Sequence, residues 1–133
     1  MKCRYKILAA VALSISLNVA YAYNNTGATH SCDRPIFSEF QPSPNKYNQS
    51  FSEFSLVASA NTTPTSINVE VSLGGPKIHF SPKELIITTR ATGQFEVRGR
   101  LDRPVEHGFA RVSVTAHSKP GCEKSDGFLV RIH

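Results

Sequence analysis

Short runs in which apolar and polar residues alternate are the feature that most constrains the fold of this chain. In the clearest run, residues 67–73, Ile, Val, Val and Leu alternate with Asn, Glu and Ser. A period of two residues places one side of a strand against a core and the other side in water. Similar runs recur about every ten residues between residues 35 and 132, separated by turn-forming residues, as is typical of a β-sandwich. Because no segment combines helical periodicity with caps, the sequence predicts an all-β fold.

The runs predict an antiparallel sandwich of about seven strands. The first strand carries prolines, which places it at a sheet edge. Residues 118–125 are expected to connect the last two strands as antiparallel neighbours. The predicted strands, with a short additional piece at residues 77–80, lie at residues 35–40, 51–58, 67–73, 85–89, 94–101, 109–117 and 127–132.

The first 22 residues have the character of an export signal. Three basic residues precede an apolar stretch, and a small-x-small site ends at Ala22. The apolar stretch is shorter than the ~20 residues that a membrane-spanning helix needs, so no membrane span is predicted. We therefore divide the chain into a signal peptide (1–22), a flexible leader (23–31) and one domain (32–133), and we expect a periplasmic or secreted protein.

The cysteines predict one disulfide bond. Cys3 leaves with the signal peptide, which leaves Cys32 and Cys122, and two cysteines in an exported chain most often form a bridge. A bridge that closes a loop of roughly 90 residues stabilises a fold by about 4–5 kcal/mol in the chain-entropy model. There is no Cys-x-x-Cys motif of the kind that thiol oxidoreductases use.

The charge of the chain argues against nucleic acid as a partner. Of the fifteen basic residues, Lys2, Arg4 and Lys6 belong to the signal peptide, so removing it lowers the net charge from +5 to +2. The remaining basic residues are spread among acidic and apolar residues. The electrostatic footprint of a nucleic-acid-binding protein is therefore missing from the sequence.

Three stretches resemble the bacterial immunoglobulin-like domains of exported proteins. They are Ser59–Val69, which enters a central strand, Phe95–Leu101, and Gly108 with Ala110–Val114 before the last hairpin. The resemblance covers residues 35–132, and it implies an immunoglobulin-like β-sandwich that serves as a binding or spacer module. In such a sandwich the first and last strands can run side by side in parallel, which would bring Cys32 and Cys122 to the same end.

Catalytic motifs are missing from the sequence. There is no Gly-x-Ser-x-Gly elbow, and Gly74-Gly75-Pro76 precedes a strand rather than a phosphate-binding helix. We therefore predict a protein that is not an enzyme and needs no cofactor.

Histidines give the alternative of a copper or zinc accessory protein. If the last two strands pair so that their positions sum to about 243, His133 falls opposite Ala110 and His107 lies just beyond it. At the other rim, His117 would approach His30. These pairs, His107 with His133 and His30 with His117, provide two imidazoles each, whereas a firm metal site needs three or four ligands.

Binding of another exported or envelope protein is the leading expectation. One candidate surface is the first strand, with Ile36, Phe37 and Phe40, which would accept a partner strand at its edge. The other is the outward side of residues 109–117, where Phe109 and Arg111 point away from the core. A carbohydrate-binding module is a further alternative, weakened by the lack of Trp for a stacking platform.

Overall fold

Residues 32–133 are described by a computed structural model, and nine β-strands run through this part of the chain. They are β1 (Phe37–Gln41), β2 (Tyr47–Asn48), β3 (Phe51–Ala58), β4 (Asn68–Ser72), β5 (Lys77–Phe80), β6 (Ile86–Thr89), β7 (Phe95–Val105), β8 (Gly108–His117) and β9 (Glu123–Ile132). Short 3-10 turns occur at Pro64–Ser66 and Pro82–Glu84. No helix in residues 32–133 has the length and apolar character needed to cross a membrane.

The strands form two sheets. One has four strands in the order β1-β3-β7-β6, and the other has five in the order β2-β9-β8-β4-β5. The strands pair antiparallel throughout residues 32–133, except that β2 runs parallel to β9. The predicted all-β, antiparallel-rich architecture is confirmed, and residues Asp33–His133 form one compact unit.

Alternating side chains from both sheets build one hydrophobic core. In β8, each of Ala110, Val112, Val114 and Ala116 is buried, while the residues between them are exposed or partly exposed. The same alternation buries Val69 and Val71 of β4. These side chains pack with apolar residues of the four-stranded sheet, so β4 and β8 each have a dry side and a wet side.

The structure corrects the register of the last hairpin. In the β8–β9 hairpin, Ala110 lies opposite Val130 rather than His133, because β9 begins at Glu123 and the connection is shorter than expected. The resemblance implies that the first strand can run parallel to the last strand. The two residues of β2 do run parallel to β9, whereas β1 pairs antiparallel with β3 in the other sheet.

Cys32 and Cys122 form the predicted disulfide bond. Cys122 is completely buried and directly precedes β9. The predicted signal peptide (1–22), the predicted leader (23–31) and His30 lie outside the described residues.

Candidate functional site

The outer face of the five-stranded sheet carries a cluster of exposed and partly exposed side chains that we call the cation–aromatic face. It occupies the end of the sheet where β9 ends and β8 begins. Cross-strand pairing orders its side chains into two neighbouring rows. The residues of the cation–aromatic face are Tyr47, Lys77, Phe109, Arg111, Leu129 and Arg131.

The first row places an arginine between two aromatic residues. Arg131 lies opposite Tyr47 on one side and opposite Phe109 on the other. The guanidinium carbon of Arg131 is 5.9 Å from the centroid of the Tyr47 ring, which is within cation–π range. Tyr47 and Phe109 are 65% and 59% exposed, although large apolar side chains gain free energy from burial. Two of the four exposed large hydrophobic residues in 32–133 therefore flank one cation.

The second row adds two cations and an apolar residue. Arg111 lies opposite Leu129 of β9 and opposite Ser72 of β4, which in turn lies opposite Lys77 of β5. Within residues 32–133, Arg111, Arg131 and Lys77 have no carboxylate at salt-bridge distance. The cation–aromatic face therefore presents three positive charges that no side chain of the described part of the chain neutralises.

The outer face of the four-stranded sheet is electrostatically different, because its arginines are paired. Arg90 makes two hydrogen bonds of 3.2 Å to the Glu39 carboxylate and also contacts Glu96. Arg100 hydrogen-bonds to the Glu53 carboxylate, which holds the pKa of Glu53 below its ordinary value of 4.5. The positive charges of this face are therefore balanced within the fold.

The first strand is a poorer edge for a partner strand than its sequence suggested. It is an edge strand, as predicted, but its pairing with β3 is irregular between Ser38 and Gln41, and Glu39 has a φ of 50°. The side chain of Phe37 is buried, and the ring of Phe40 stacks on the core residue Phe128 with centroids 5.0 Å apart. The burial of Phe37 and the partial burial of Phe40 argue against a binding surface made of these two side chains, and partner binding at this edge stays a prediction.

Ile36 is 68% exposed, as a contact residue would be. Both backbone polar groups of Ile36, however, already hydrogen-bond to Ser59. The Ile36 N–H donates to Ser59 Oγ, and the Ile36 carbonyl accepts from the Ser59 N–H, each at 2.9 Å. A partner strand would have to break these bonds to pair with Ile36.

The histidines come together only in part. His107 Nδ1 lies 3.2 Å from the backbone oxygen of His133. The ring centroids of His133 and Tyr47 are 5.8 Å apart. His117 Nδ1 is buried and has no hydrogen-bond partner in the described part of the chain. No group of three or more His, Cys, Asp or Glu residues suited to a metal ion occurs in residues 32–133.

A cleft of about 600 Å³ lies between β5 and the end of β7. Strand β6 pairs with β7 only at residues 95–98, so residues 99–105 have no strand beside them on that side within the described chain. Apolar and charged side chains line the cleft together: Leu73, Ile78, Phe80, Leu101 and Val105 with His79, Glu84, Arg100, Asp102 and Arg103.

Sequence reasoning identified part of the cation–aromatic face. Phe109 and Arg111 are exposed, in agreement with the alternation in β8. Leu129 and Arg131 follow the same alternation in β9, so the correct register would have placed them beside Phe109 and Arg111. Tyr47 and Lys77 could not be found in this way, because they reach the site through long-range pairing of short edge strands.

Comparison of the chain with models of protein families, with curated proteins and with solved structures found no match.

Proposed function

We propose that this chain is an exported, non-enzymatic, immunoglobulin-like module that binds another exported protein through the cation–aromatic face. The observation that carries the proposal is the row in which the exposed side chains of Tyr47 and Phe109 flank Arg131. Tyr and Arg are enriched among the residues that dominate binding energy at protein interfaces. An aromatic and cationic cluster on an otherwise polar sheet face is a surface that a partner would cover.

The strand order supports the immunoglobulin-like assignment. Lettered in chain order, immunoglobulin sandwiches have one sheet of strands A, B, E and D and a second sheet of strands C, F and G, extended by C′ in variable domains. The order β1-β3-β7-β6 corresponds to A-B-E-D, and β9-β8-β4-β5 corresponds to G-F-C-C′. In this scheme, β1 and β2 are two segments of a first strand that changes sheets.

The disulfide bond supports the proposed export. Structural disulfides persist in oxidising compartments such as the bacterial periplasm and the extracellular medium. The Cys32–Cys122 bond agrees with the signal-like sequence of residues 1–22, and together they favour a periplasmic or secreted location.

The proposal is tested by affinity capture with one variant and a matched control. The oxidised protein is immobilised, proteins are captured from the exported fraction of its own organism, and bound proteins are quantified by mass spectrometry. Phe109→Ala removes an exposed side chain of the cation–aromatic face, whereas Ile86→Ala removes a similarly exposed side chain of the other sheet. We expect wild type and Ile86→Ala to retain a stoichiometric partner. The amount of that partner captured by Phe109→Ala should be at least tenfold lower. Equal retention by both variants would contradict the proposal, and so would the lack of any stoichiometric partner.

The cleft favours a second candidate function, the binding of an extended segment by β-augmentation. Within the described chain, residues 99–105 have no paired strand on the side of β6, and a strand added there would lie end to end with β6 and could pair with the residues of this stretch other than Pro104, which has no N–H. Amide hydrogen exchange with the captured partner separates the two sites. Protection of residues 99–105 would favour the cleft, whereas protection confined to β8 and β9 would rule it out.

A further inference from the structure

We propose that the partner presents an acidic protein segment to the cation–aromatic face, with carboxylates at alternate positions of the segment. This inference depends on the proposed function, since it specifies the chemistry of the partner that the same face binds. Three observations carry it: the unneutralised cations, their spacing, and the apolar residues between them.

The charge asymmetry between the two sheets is the first argument. On the four-stranded sheet, Arg90, Arg98 and Arg100 each contact a glutamate of the same face. On the cation–aromatic face, Arg111, Arg131 and Lys77 contact none in the described chain, and the nearest acidic residue along β4 is Glu70, in the following row opposite Ser113. Ion pairs among the described residues therefore neutralise the arginines of one face but not the three cations of the other, and a partner with carboxylates would supply the complementary charge.

The spacing of the cations is the second argument. Phe109 and Arg111 on β8 face Arg131 and Leu129 on β9, so the two arginines occupy one diagonal of a square and the two apolar residues occupy the other. Diagonal neighbours in an antiparallel pair are about 7–8 Å apart. Alternate residues of an extended segment are about 6.8 Å apart and point to the same side. Two acidic residues in alternate positions therefore match the spacing of the strand positions that carry Arg111 and Arg131. The guanidinium groups themselves lie further apart along the sheet, since that of Arg131 lies beside Tyr47 and that of Arg111 beside Gly127.

The apolar diagonal favours a protein segment over a nucleic acid. Phe109 and Leu129 occupy two of the four corners of the square. The Leu129 side chain can neither stack on a nucleic-acid base nor hydrogen-bond to it. Proteins that bind single-stranded nucleic acid combine aromatic residues with a positively charged groove that follows many phosphates. Here three cations form a compact group, in a chain whose net charge is only +2 without the signal peptide.

The first test is an NMR titration of the oxidised, ¹⁵N-labelled protein with short synthetic probes. The acidic probe is the blocked peptide Glu-Glu-Phe-Glu-Glu, its neutral counterpart is Gln-Gln-Phe-Gln-Gln, and a five-nucleotide oligodeoxythymidine represents nucleic acid. We expect the acidic peptide to shift amide signals of residues 108–112 and 129–132 and to bind at least tenfold more tightly than the neutral peptide. Equal binding of the two peptides, no binding of either at millimolar concentration, or tighter binding of the oligonucleotide would overturn the inference.

Charge-reversal variants then locate the binding. We expect Arg111→Glu and Arg131→Glu each to lower the affinity for the acidic peptide about tenfold, since each replaces an attraction with a repulsion. Lys83→Glu changes the net charge by the same amount at an exposed position outside the face, and should leave binding within twofold. Equal weakening by all three variants would mean that net charge alone drives binding, which would refute a specific site.

The natural partner separates failure of this inference from failure of the proposed function. If Phe109→Ala releases the captured partner and both charge-reversal variants retain it, the face binds a protein that is not acidic, and only the inference is lost. If Phe109→Ala also retains the partner, the proposed function is wrong.

Discussion

Gly99 and Phe54 show how a single residue limits the packing of the core. Gly99 of β7 lies directly opposite Phe54 of β3, and the Phe54 ring, packed edge-on against Phe80, covers the position that a side chain at Gly99 would occupy. A Cβ at Gly99 would come within 2.9 Å of three carbons of that ring. We expect Gly99→Ala to lower the free energy of unfolding by about 1–3 kcal/mol, the usual effect of overpacking. Urea denaturation of both proteins measures the change.

Two comparisons test the cause of that effect. Gly75→Ala adds the same methyl group where nothing lies within 4 Å, and should change stability by less than about 0.5 kcal/mol. In a Phe54→Leu background, Gly99→Ala should cost much less than in wild type, because the ring is gone. An equal cost in both backgrounds would show that the clash is not the reason.

At the scale of an element, the Pro82–Glu84 turn links the two sheets and is closed by one carboxylate. The Ser81 N–H donates to Glu84 Oε1 at 2.8 Å, and the Glu84 N–H donates to the Ser81 carbonyl at 2.9 Å. The hydrogen bonds from the Ser81 backbone and then its side chain lower the pKa of Glu84 from its ordinary value of 4.5. The charged form of Glu84 therefore stabilises the turn.

That lowered pKa predicts a pH-dependent contribution. The stability from the charged carboxylate is fully present above pH 4.5, the ordinary pKa, and is lost as pH falls through the lower pKa of the folded state. We expect the melting temperature of Glu84→Gln to lie below that of wild type at neutral pH, with the difference shrinking in acid. Glu106→Gln removes a charge outside the turn and serves as the control. A difference that is independent of pH would exclude the proposed role of the charge.

At the scale of the whole molecule, the disulfide bond joins the start of the described chain to the β8–β9 connection. Because it closes a loop of roughly 90 residues, it restricts the unfolded chain strongly. We expect Cys32→Ser combined with Cys122→Ser to lower the free energy of unfolding by about 2–5 kcal/mol, measured by urea denaturation. Wild type under reducing conditions should match the double variant. An unchanged urea midpoint would show that the bond does not stabilise the fold.

Much of the architecture follows from local pattern alone. The bounds of β3 and β5 agree with the strands predicted from the sequence. A period of two residues also reports which side of a strand is buried, so the sequence predicts the inward residues of β8 and the outward direction of Phe109. The pairing of Cys32 with Cys122 follows from their number once Cys3 is assigned to the signal peptide. The burial of Phe37 and the partial burial of Phe40 were not predicted, because β1 is irregular and alternation fails where a strand has a bulge.

Which residues become neighbours across strands depends on tertiary structure. The three-residue change in the β8–β9 register moved His133 away from Ala110 and left Arg131 opposite Phe109. Pairing across strands likewise joined Arg100 to Glu53 but left Arg111 and Arg131 without a carboxylate among the described residues. Periodicity carries no information about these contacts, because register and strand order depend on turn lengths and on packing between residues far apart in the chain. The individual strands are therefore readable from local pattern, whereas the candidate binding face exists only once the sheets are assembled.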